Sequence, residues 1–464
     1  MRQPRINIKW YILSDILISI FTWITFYYLR SVVYNFNFSV PSGFYLGLIL
    51  YTLGWLFLNF IFGMYGSLYE KSRLNELVKT FMISLVGCLF LLFFFILKNP
   101  HADNLKYYQE FFILLAPITL ITIIVRSIFL NKVKSQLNKK SVFFNALLIG
   151  SAKKAIEFYN SFNSNKEQGG FKIVAFYQIG IKEEKSFSDL KIYDNSLSLT
   201  KIIEKENIEE VIIAVDNKDR ELLSSILQNL SNQEVKIKII PDMVDIISGA
   251  LQTNNVTGVP LIDIHPGKLN QWQQNIKRLI DIVISLPVLI IMIPVFIYII
   301  IRVKFSSPGP ILFKQERLGY KCRPFTMIKF RSMFVNAEVN GPQLSSENDS
   351  RITKWGRKMR KWRIDELPQL WNILKGDMSF VGPRPERKFY FDKIISTNPE
   401  YKYLFKVKPG LTSWGMVKFG YASSVDEMIQ RLPYDLIYVE NVSLALDFKI
   451  MFYSIQIILA GKGK

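Results

Sequence analysis

The sequence predicts three modules in series: a membrane α-helical bundle, a doubly wound α/β domain, and an α+β domain with one further hydrophobic helix. Three observations predict it. Four long apolar runs occupy the first 130 residues, alternating β-type and helical runs follow to about Ala250, and a last apolar run then leads into charged motifs rich in Pro and Gly. The expected division is 1–140, 141–250, a linker at 251–271, and 272–464. A chain of 464 residues is too long for one core.

The four runs are Trp10 to Leu29, Phe44 to Phe62, Thr80 to Leu97, and Phe111 to Leu130. Each approaches the roughly 20 residues that cross a hydrocarbon core. The first is too long and too aromatic for a signal-peptide core and lacks a small-residue cleavage site, so it reads as a retained helix. Arg2, Arg5 and Lys9 precede the first run, and Lys71, Arg73 and Lys79 separate the second from the third. Lys132, Lys134, Lys139 and Lys140 follow the fourth, whereas Ser31 to Gly43 carries no Lys or Arg. This bias predicts a cytoplasmic N-terminus and a cytoplasmic remainder of the chain after Leu130. Asp15 reads as an inward-facing polar contact.

Composition narrows the chemistry. Half of the residues are hydrophobic, 21% are charged, and the net charge is +20. The mean hydropathy is positive. Such a chain suits anionic partners at a lipid surface, and the apolar anchors disfavour nucleic acid. Two cysteines, Cys88 and Cys322, and two histidines, His101 and His265, exclude a disulfide framework, a His-based zinc site and a Ser-His-Asp triad. Catalysis must then rest on carboxylates, Lys, Arg, Ser and Tyr.

In the middle module, strands are expected at Phe143 to Ile149, Lys172 to Phe176, Glu210 to Val215 and Lys236 to Ile240. Helices are expected at Lys153 to Phe162 and Asp219 to Leu230. The first strand ends in Gly150-Ser151-Ala152-Lys153-Lys154-Ala155, without the second and third glycines of a dinucleotide fingerprint. A structural, dimerising or regulatory domain is the expectation. A membrane-anchored nucleotide-sugar dehydratase would need both that fingerprint and Tyr-x-x-x-Lys, and the latter spacing occurs nowhere.

The run Leu279 to Ile301 is long enough to span, yet both flanks are basic: Lys277 and Arg278 before, Arg302 and Lys304 after. Pro287 and Pro294 inside it favour a bend. By length alone the run reads as a fifth crossing; a bent helix over 279–302 that enters and leaves by one face is the alternative that the flanks and prolines favour.

Beyond it, Phe325 to Met333 reads as a strand whose period of two places Lys329 and Arg331 on one face. Lys354 to Arg363 interleaves basic residues with Trp and Met, as a helix in the head-group layer would. Pro368 is tolerated only in a first turn, so a helix is expected to begin close to Asp365, with Asp365 held ionised by the helix terminus. Adjacent Glu366 points elsewhere, which allows one carboxylate to attack and the other to hold a metal. Arg384 stands between Pro383 and Pro385, a stiff turn suited to bidentate phosphate contact.

These motifs carry a resemblance. Lys277-Arg278-x-x-Asp281, Ser307-Pro308-Gly309-Pro310, Phe313-x-Gln315-x-Arg317-x-Gly319, Lys329-Phe330-Arg331-Ser332-Met333, Asp365 to Asn372, Gly376 to Pro385 and Pro409-Gly410 resemble the bacterial sugar transferases, the monotopic phosphoglycosyl transferases. The layout resembles their large form. The resemblance implies a re-entrant helix and transfer of a sugar 1-phosphate from a nucleotide sugar, expected to be a UDP-sugar, to undecaprenyl phosphate. Asp365 would form a covalent phosphosugar intermediate and Glu366 would bind Mg²⁺. Lys329, Arg331, Arg360 and Arg384 are the expected phosphate and nucleotide contacts, and Asp435 and Asp447 match acidic positions of the family. It further implies a homodimer in the bacterial inner membrane, its catalytic domain facing the cytoplasm, in exopolysaccharide, capsule or O-antigen synthesis. Two places depart from the pattern. Ile293, not serine, precedes Pro294, and the stretch after Trp414 reads Met416-Val417-Lys418-Phe419-Gly420-Tyr421 where many relatives carry Gln-Val and then Gly-Arg.

Overall fold

The computed structural model describes residues 4–34, 37, 40, 42–98, 104–164, 170–179, 190–194, 197–215, 220–230, 233, 235–241, 261–264, 269–339, 341–344 and 349–459. His101, Asp219, His265 and most of the expected linker lie outside the described residues. The chain forms two compact units, one of Met1–Phe144 with Asn270–Ile276, the other of Asn145–Leu269 with Lys277–Lys464.

In the first unit, α1 (Ile8–Val33), α2 (Phe44–Ile61), α3 (Arg73–Lys98) and α4 (Asn104–Asn138) each contain a stretch long and apolar enough to cross a membrane. α1, α3 and α4 extend past the expected apolar runs into polar residues, whereas α2 matches its run to within one residue. Trp23, Phe26, Tyr51, Trp55, Leu114 and Ile118 pack inside the bundle. Leu46, Leu50, Leu53 and Phe57 of α2 stay exposed, an outward face suited to lipid rather than water. Buried Arg126 of α4 donates to Asp15 Oδ2 at 3.0 Å, Asn59 Oδ1 at 2.8 Å and Thr80 Oγ1 at 2.7 Å, so one guanidinium reaches the other three helices. Buried charge of this kind persists only when it is paired.

The second unit opens with a sheet of β1 (Phe144–Gly150), β2 (Phe171–Gln178), β3 (Lys191–Tyr193), β4 (Glu210–Ala214), β5 (Lys236–Ile239) and β6 (Ile262–Ile264), in the order β3-β2-β1-β4-β5-β6. The β1–β4, β4–β5 and β2–β3 pairs are parallel, and β6 runs antiparallel to β5. Helices α5 (Ala152–Ser164), α6 (Leu199–Lys205) and α7 (Arg220–Leu230) complete the doubly wound pattern. Gly150 is required by packing: a Cβ there would sit 2.1 Å from the Ala214 carbonyl oxygen of β4. β3 and β6 were not expected, and α6 fills a place between strands where a helix was expected without bounds. Both strands are only three residues long, and β6 falls in the stretch read as linker.

A bent helix pair follows. α8 (Gln271–Ile291) and α9 (Ile293–Ser306) meet at Met292 with a 64° change of direction. Pro294 lies in the first turn of α9, where a missing N–H costs nothing. Pro287 sits inside α8 without ending it. Ser285 is fully buried about two turns before the break.

The antiparallel hairpin of β7 (Leu312–Leu318) and β8 (Pro324–Phe330) comes next, then α10 (Lys354–Lys361) and α11 (Gln369–Lys375). A short parallel pair, β9 (Ser379–Val381) and β10 (Gly410–Thr412), and four helices complete it: α12 (Lys388–Ile395), α13 (Trp414–Lys418), α14 (Val425–Glu440) and α15 (Leu444–Leu459). The Lys-Arg-x-x-Asp motif of α8 fastens the hydrophobic helix to this fold. Lys277 donates to the Val381 carbonyl, Arg278 to the Ile373 and Leu374 carbonyls at the end of α11, and Asp281 accepts from Ser379 Oγ and Phe380 N, both at 3.1 Å. Three charged side chains thus satisfy backbone groups that two short elements leave open.

Candidate active site

The cavity of about 940 Å³ in the C-terminal domain is floored by β7 and β8 and walled by the segments carrying Arg360, Asp365, Glu366, Arg384 and Tyr421. Eight Lys or Arg and four Asp or Glu line it, an excess of positive charge that suits a polyanionic ligand.

Local sequence explains why the acid pair faces inward. Arg363 adopts a left-handed backbone (φ 55°), which ends the run of α10 and starts a 3₁₀ turn over Ile364–Glu366. The first α-helix after it begins at Gln369, with Pro368 as the flanking residue. This corrects the expected helix start near Asp365: the pair precedes the helix by a turn, so its terminus is not what governs Asp365. Asp365 and Glu366 are both buried, at 6% and 8% exposure. Asn372 pins α11 to β8, accepting from Ile328 N at 3.1 Å and donating to the Thr326 carbonyl at 2.8 Å.

Electrostatics split the two carboxyls. Burial penalises the Glu366 charge, yet Lys329, Arg363 and Arg384 outweigh it and hold Glu366 well below the usual carboxylate range. Lys329 Nζ lies 3.1 Å from Glu366 Oε1, Arg363 Nη1 lies 2.8 Å from Oε2, and Arg384 Nη1 lies 3.9 Å from Oε1. Asp365 goes the other way. Burial and the neighbouring Glu366 charge push it above the ordinary aspartate value, and Lys329, Arg360 and Arg363 only partly oppose them. Two neighbouring acids with opposed shifts are a recurrent sign of divided chemical labour.

The expected cations disperse. Lys329 turns to Glu366, whereas Arg331, past the end of β8, turns to the Val303 and Ser307 carbonyls at the end of α9. The strand stops at Phe330, and the two side chains take different partners. Both still line the cavity, together with Arg360, whose Nε donates to Ser332 Oγ at 3.0 Å. α10 is held close here: a Cβ on Gly356 would sit 1.9 Å from the Ser332 carbonyl oxygen.

Asp435 and Asp447 do not line the cavity. Asp435 accepts from Gly415 N at 3.0 Å and pairs with Arg431 at 3.3 Å, both deep in the core. Asp447 pairs with Lys277 and accepts from Tyr438 Oη at 2.7 Å. Each is engaged by its own fold: Asp447 lies outside the cavity, and Asp435 sits behind Arg431 of the cavity lining. Arg363 and Tyr421 were not singled out from sequence. Only the left-handed turn brings Arg363 to Glu366, and a tyrosine after Gly420 has no legible role until its neighbours are known.

Among the described residues no group of three or more His, Cys, Asp or Glu side chains forms a metal cage. Magnesium needs only one or two carboxylates when substrate phosphates and water complete its shell, and Asp365 and Glu366 meet that lesser demand. Each Glu366 oxygen keeps a lone pair beyond its contact with Lys329 or Arg363.

The chain also matches known proteins. Residues 272–461 match the family described as bacterial sugar transferase, and residues 60–241 match one described as CoA-binding domain. A UDP-glucose:undecaprenyl-phosphate glucose-1-phosphate transferase of Klebsiella pneumoniae is 32% identical over 68% of this chain and 67% of its own length. A UDP-N-acetylgalactosamine-undecaprenyl-phosphate N-acetylgalactosaminephosphotransferase of Aeromonas hydrophila is 42% identical over 40% of this chain and 44% of its own. The glucose-1-phosphate transferase of Escherichia coli K12 is 33% identical over 53% and 54%. The chain therefore spans from under half to two thirds of the length of these curated relatives. With the Klebsiella protein matched over two thirds of its length, the chain belongs to the bacterial sugar transferase family.

Proposed function

We propose that the protein transfers a sugar 1-phosphate from a UDP-sugar to a polyprenyl phosphate, undecaprenyl phosphate, and so begins an exopolysaccharide, capsule or O-antigen chain. The observation that carries this reading is the buried Asp365–Glu366 pair in a cavity with excess positive charge. The names of the relatives support the substrate classes.

A carboxylate oxygen of Asp365 attacks the phosphorus that bears the sugar, the bond from that phosphorus to the bridging oxygen breaks, and the nucleoside monophosphate leaves with the electron pair. The phosphosugar is then an acyl phosphate on Asp365. A phosphate oxygen of the polyprenyl phosphate attacks the same phosphorus, which restores the carboxylate and yields a polyprenyl diphosphosugar. Lys329, Arg360 and Arg384 bind the diphosphate oxygens, and the raised Asp365 must shed its proton before it attacks. Glu366 would hold Mg²⁺, which supplies charge neutralisation on the diphosphate.

The bent pair α8–α9 is re-entrant in this reading, with the cavity at the depth of lipid phosphates on the cytoplasmic face of the inner membrane. The 64° bend, the Lys-Arg-x-x-Asp fastening and the basic α10 support it. The active form is a homodimer. The test is a panel of UDP-sugars with undecaprenyl phosphate and Mg²⁺: UMP release that disappears in Asp365→Asn is expected. A chain that releases UMP from no donor is an assembly scaffold instead.

A further inference from the structure

Resting on the transferase reading, we infer that Tyr421 is a positioning residue for the donor diphosphate, acting through the guanidinium of Arg384. The Tyr421 ring lies 4.0 Å from Arg363 Cζ and 5.1 Å from Arg384 Cζ, so one aromatic face system serves two guanidiniums on the cavity wall.

The two arginines are held differently. Arg363 is tied to Glu366 at 2.8 Å. Arg384 reaches Glu366 only at 3.9 Å and donates to the soft Met416 sulfur at 3.8 Å, both long contacts. The prolines on either side, Pro383 and Pro385, restrict its backbone but not its side-chain plane. With its guanidinium carbon 5.1 Å over the ring, Arg384 is confined by Tyr421, and a cation–π contact uses the charge without consuming the N–H groups. Those groups form the fork that binds phosphate oxygens bidentately. The hydroxyl is secondary: burial and Glu366 push the Tyr421 phenol up to about 12, so it stays neutral at working pH.

The experiment uses the full chain in detergent or nanodiscs, with the UDP-sugar that the wild type turns over and UMP release as the readout. Removing the face in Tyr421→Leu raises KM for the UDP-sugar about 5- to 30-fold, the range of a desolvated cation–π contact, while kcat falls less. Tyr421→Phe restores KM to within about twofold. Because Tyr421→Leu can fail to fold, Tyr421→Met is a size-matched second variant with the same expected effect. A double variant closes the test: on an Arg384→Lys background, which lacks a planar fork, Tyr421→Leu adds less than about twofold to KM. A KM unchanged in both Tyr421→Leu and Tyr421→Met overturns the inference, as does Tyr421→Phe being as impaired as Tyr421→Leu, or full additivity with Arg384→Lys. A wild type that turns over no donor sinks the transferase reading itself, which is a different failure.

Discussion

Lys329 Nζ stands 3.1 Å from Glu366 Oε1, so the cation at the end of β8 neutralises the acid that adjoins Asp365. Removing either partner changes the proton affinity of Asp365, and the signs are opposite. Lys329 favours the ionised Asp365 and Glu366 disfavours it. The acid limb of kcat/KM is expected above the ~3.9 of an unperturbed aspartate. Lys329→Met moves that limb to higher pH, and Glu366→Gln moves it to lower pH. A pH–rate series on the three proteins checks this, and shifts of the same sign in both variants would contradict it.

Asp365 as the attacking group predicts a trapped adduct. Wild-type protein given a UDP-sugar without polyprenyl phosphate accumulates one phosphosugar mass on the peptide holding Asp365, whereas Asp365→Asn accumulates none. Intact-mass and peptide mass spectrometry measure it. Asp365→Asn is also expected to lower the rate by at least about 10³-fold, as removal of a covalent nucleophile does.

Asp447 is predicted to matter for stability rather than for substrate. Its partners are Lys277 and Tyr438, outside the cavity. Asp447→Ala removes the charged acceptor of Lys277 and Tyr438 and leaves both to share the Val381 carbonyl, at a cost of roughly 1–3 kcal/mol. Thermal unfolding falls accordingly, while KM for the donor stays within about twofold. A large KM effect with unchanged unfolding would return Asp447 to the substrate.

The Arg126 network predicts a steep asymmetry in the bundle. Arg126→Leu strands the buried Asp15 carboxylate, at a cost of about 3–5 kcal/mol in unfolding. The double variant with Asp15→Leu recovers much of that loss, because both charges leave together. Equal destabilisation by the single and double variants would show that the pair contributes little.

Re-entrance predicts one-sided labelling. Asn270→Cys and Lys304→Cys flank the bent pair at exposed positions. Both are expected to react with an impermeant maleimide in inverted vesicles and neither in intact cells. Reaction of the two from opposite sides would make the pair a crossing.

Much of this protein follows from sequence alone. Runs of about 20 apolar residues specify α1 to α4, since apolar length and in-register hydrogen bonding suffice for a helix that can enter lipid. Short apolar or alternating runs specify β1, β2, β4 and β5; β1 and β4 are buried along a continuous stretch, and only β5 alternates cleanly. The acid pair and Arg384 were legible because a proline or a doublet marks each of them locally. What tertiary structure decided is where charged side chains end. A left-handed turn at Arg363 moves the acid pair ahead of the helix, the end of β8 at Phe330 sends Arg331 to α9 rather than to Glu366, and Asp435 and Asp447 are taken up by Arg431 and Lys277. A buried ionised group seeks whichever opposite charge or open backbone group the fold brings near, and that neighbour is distant in sequence.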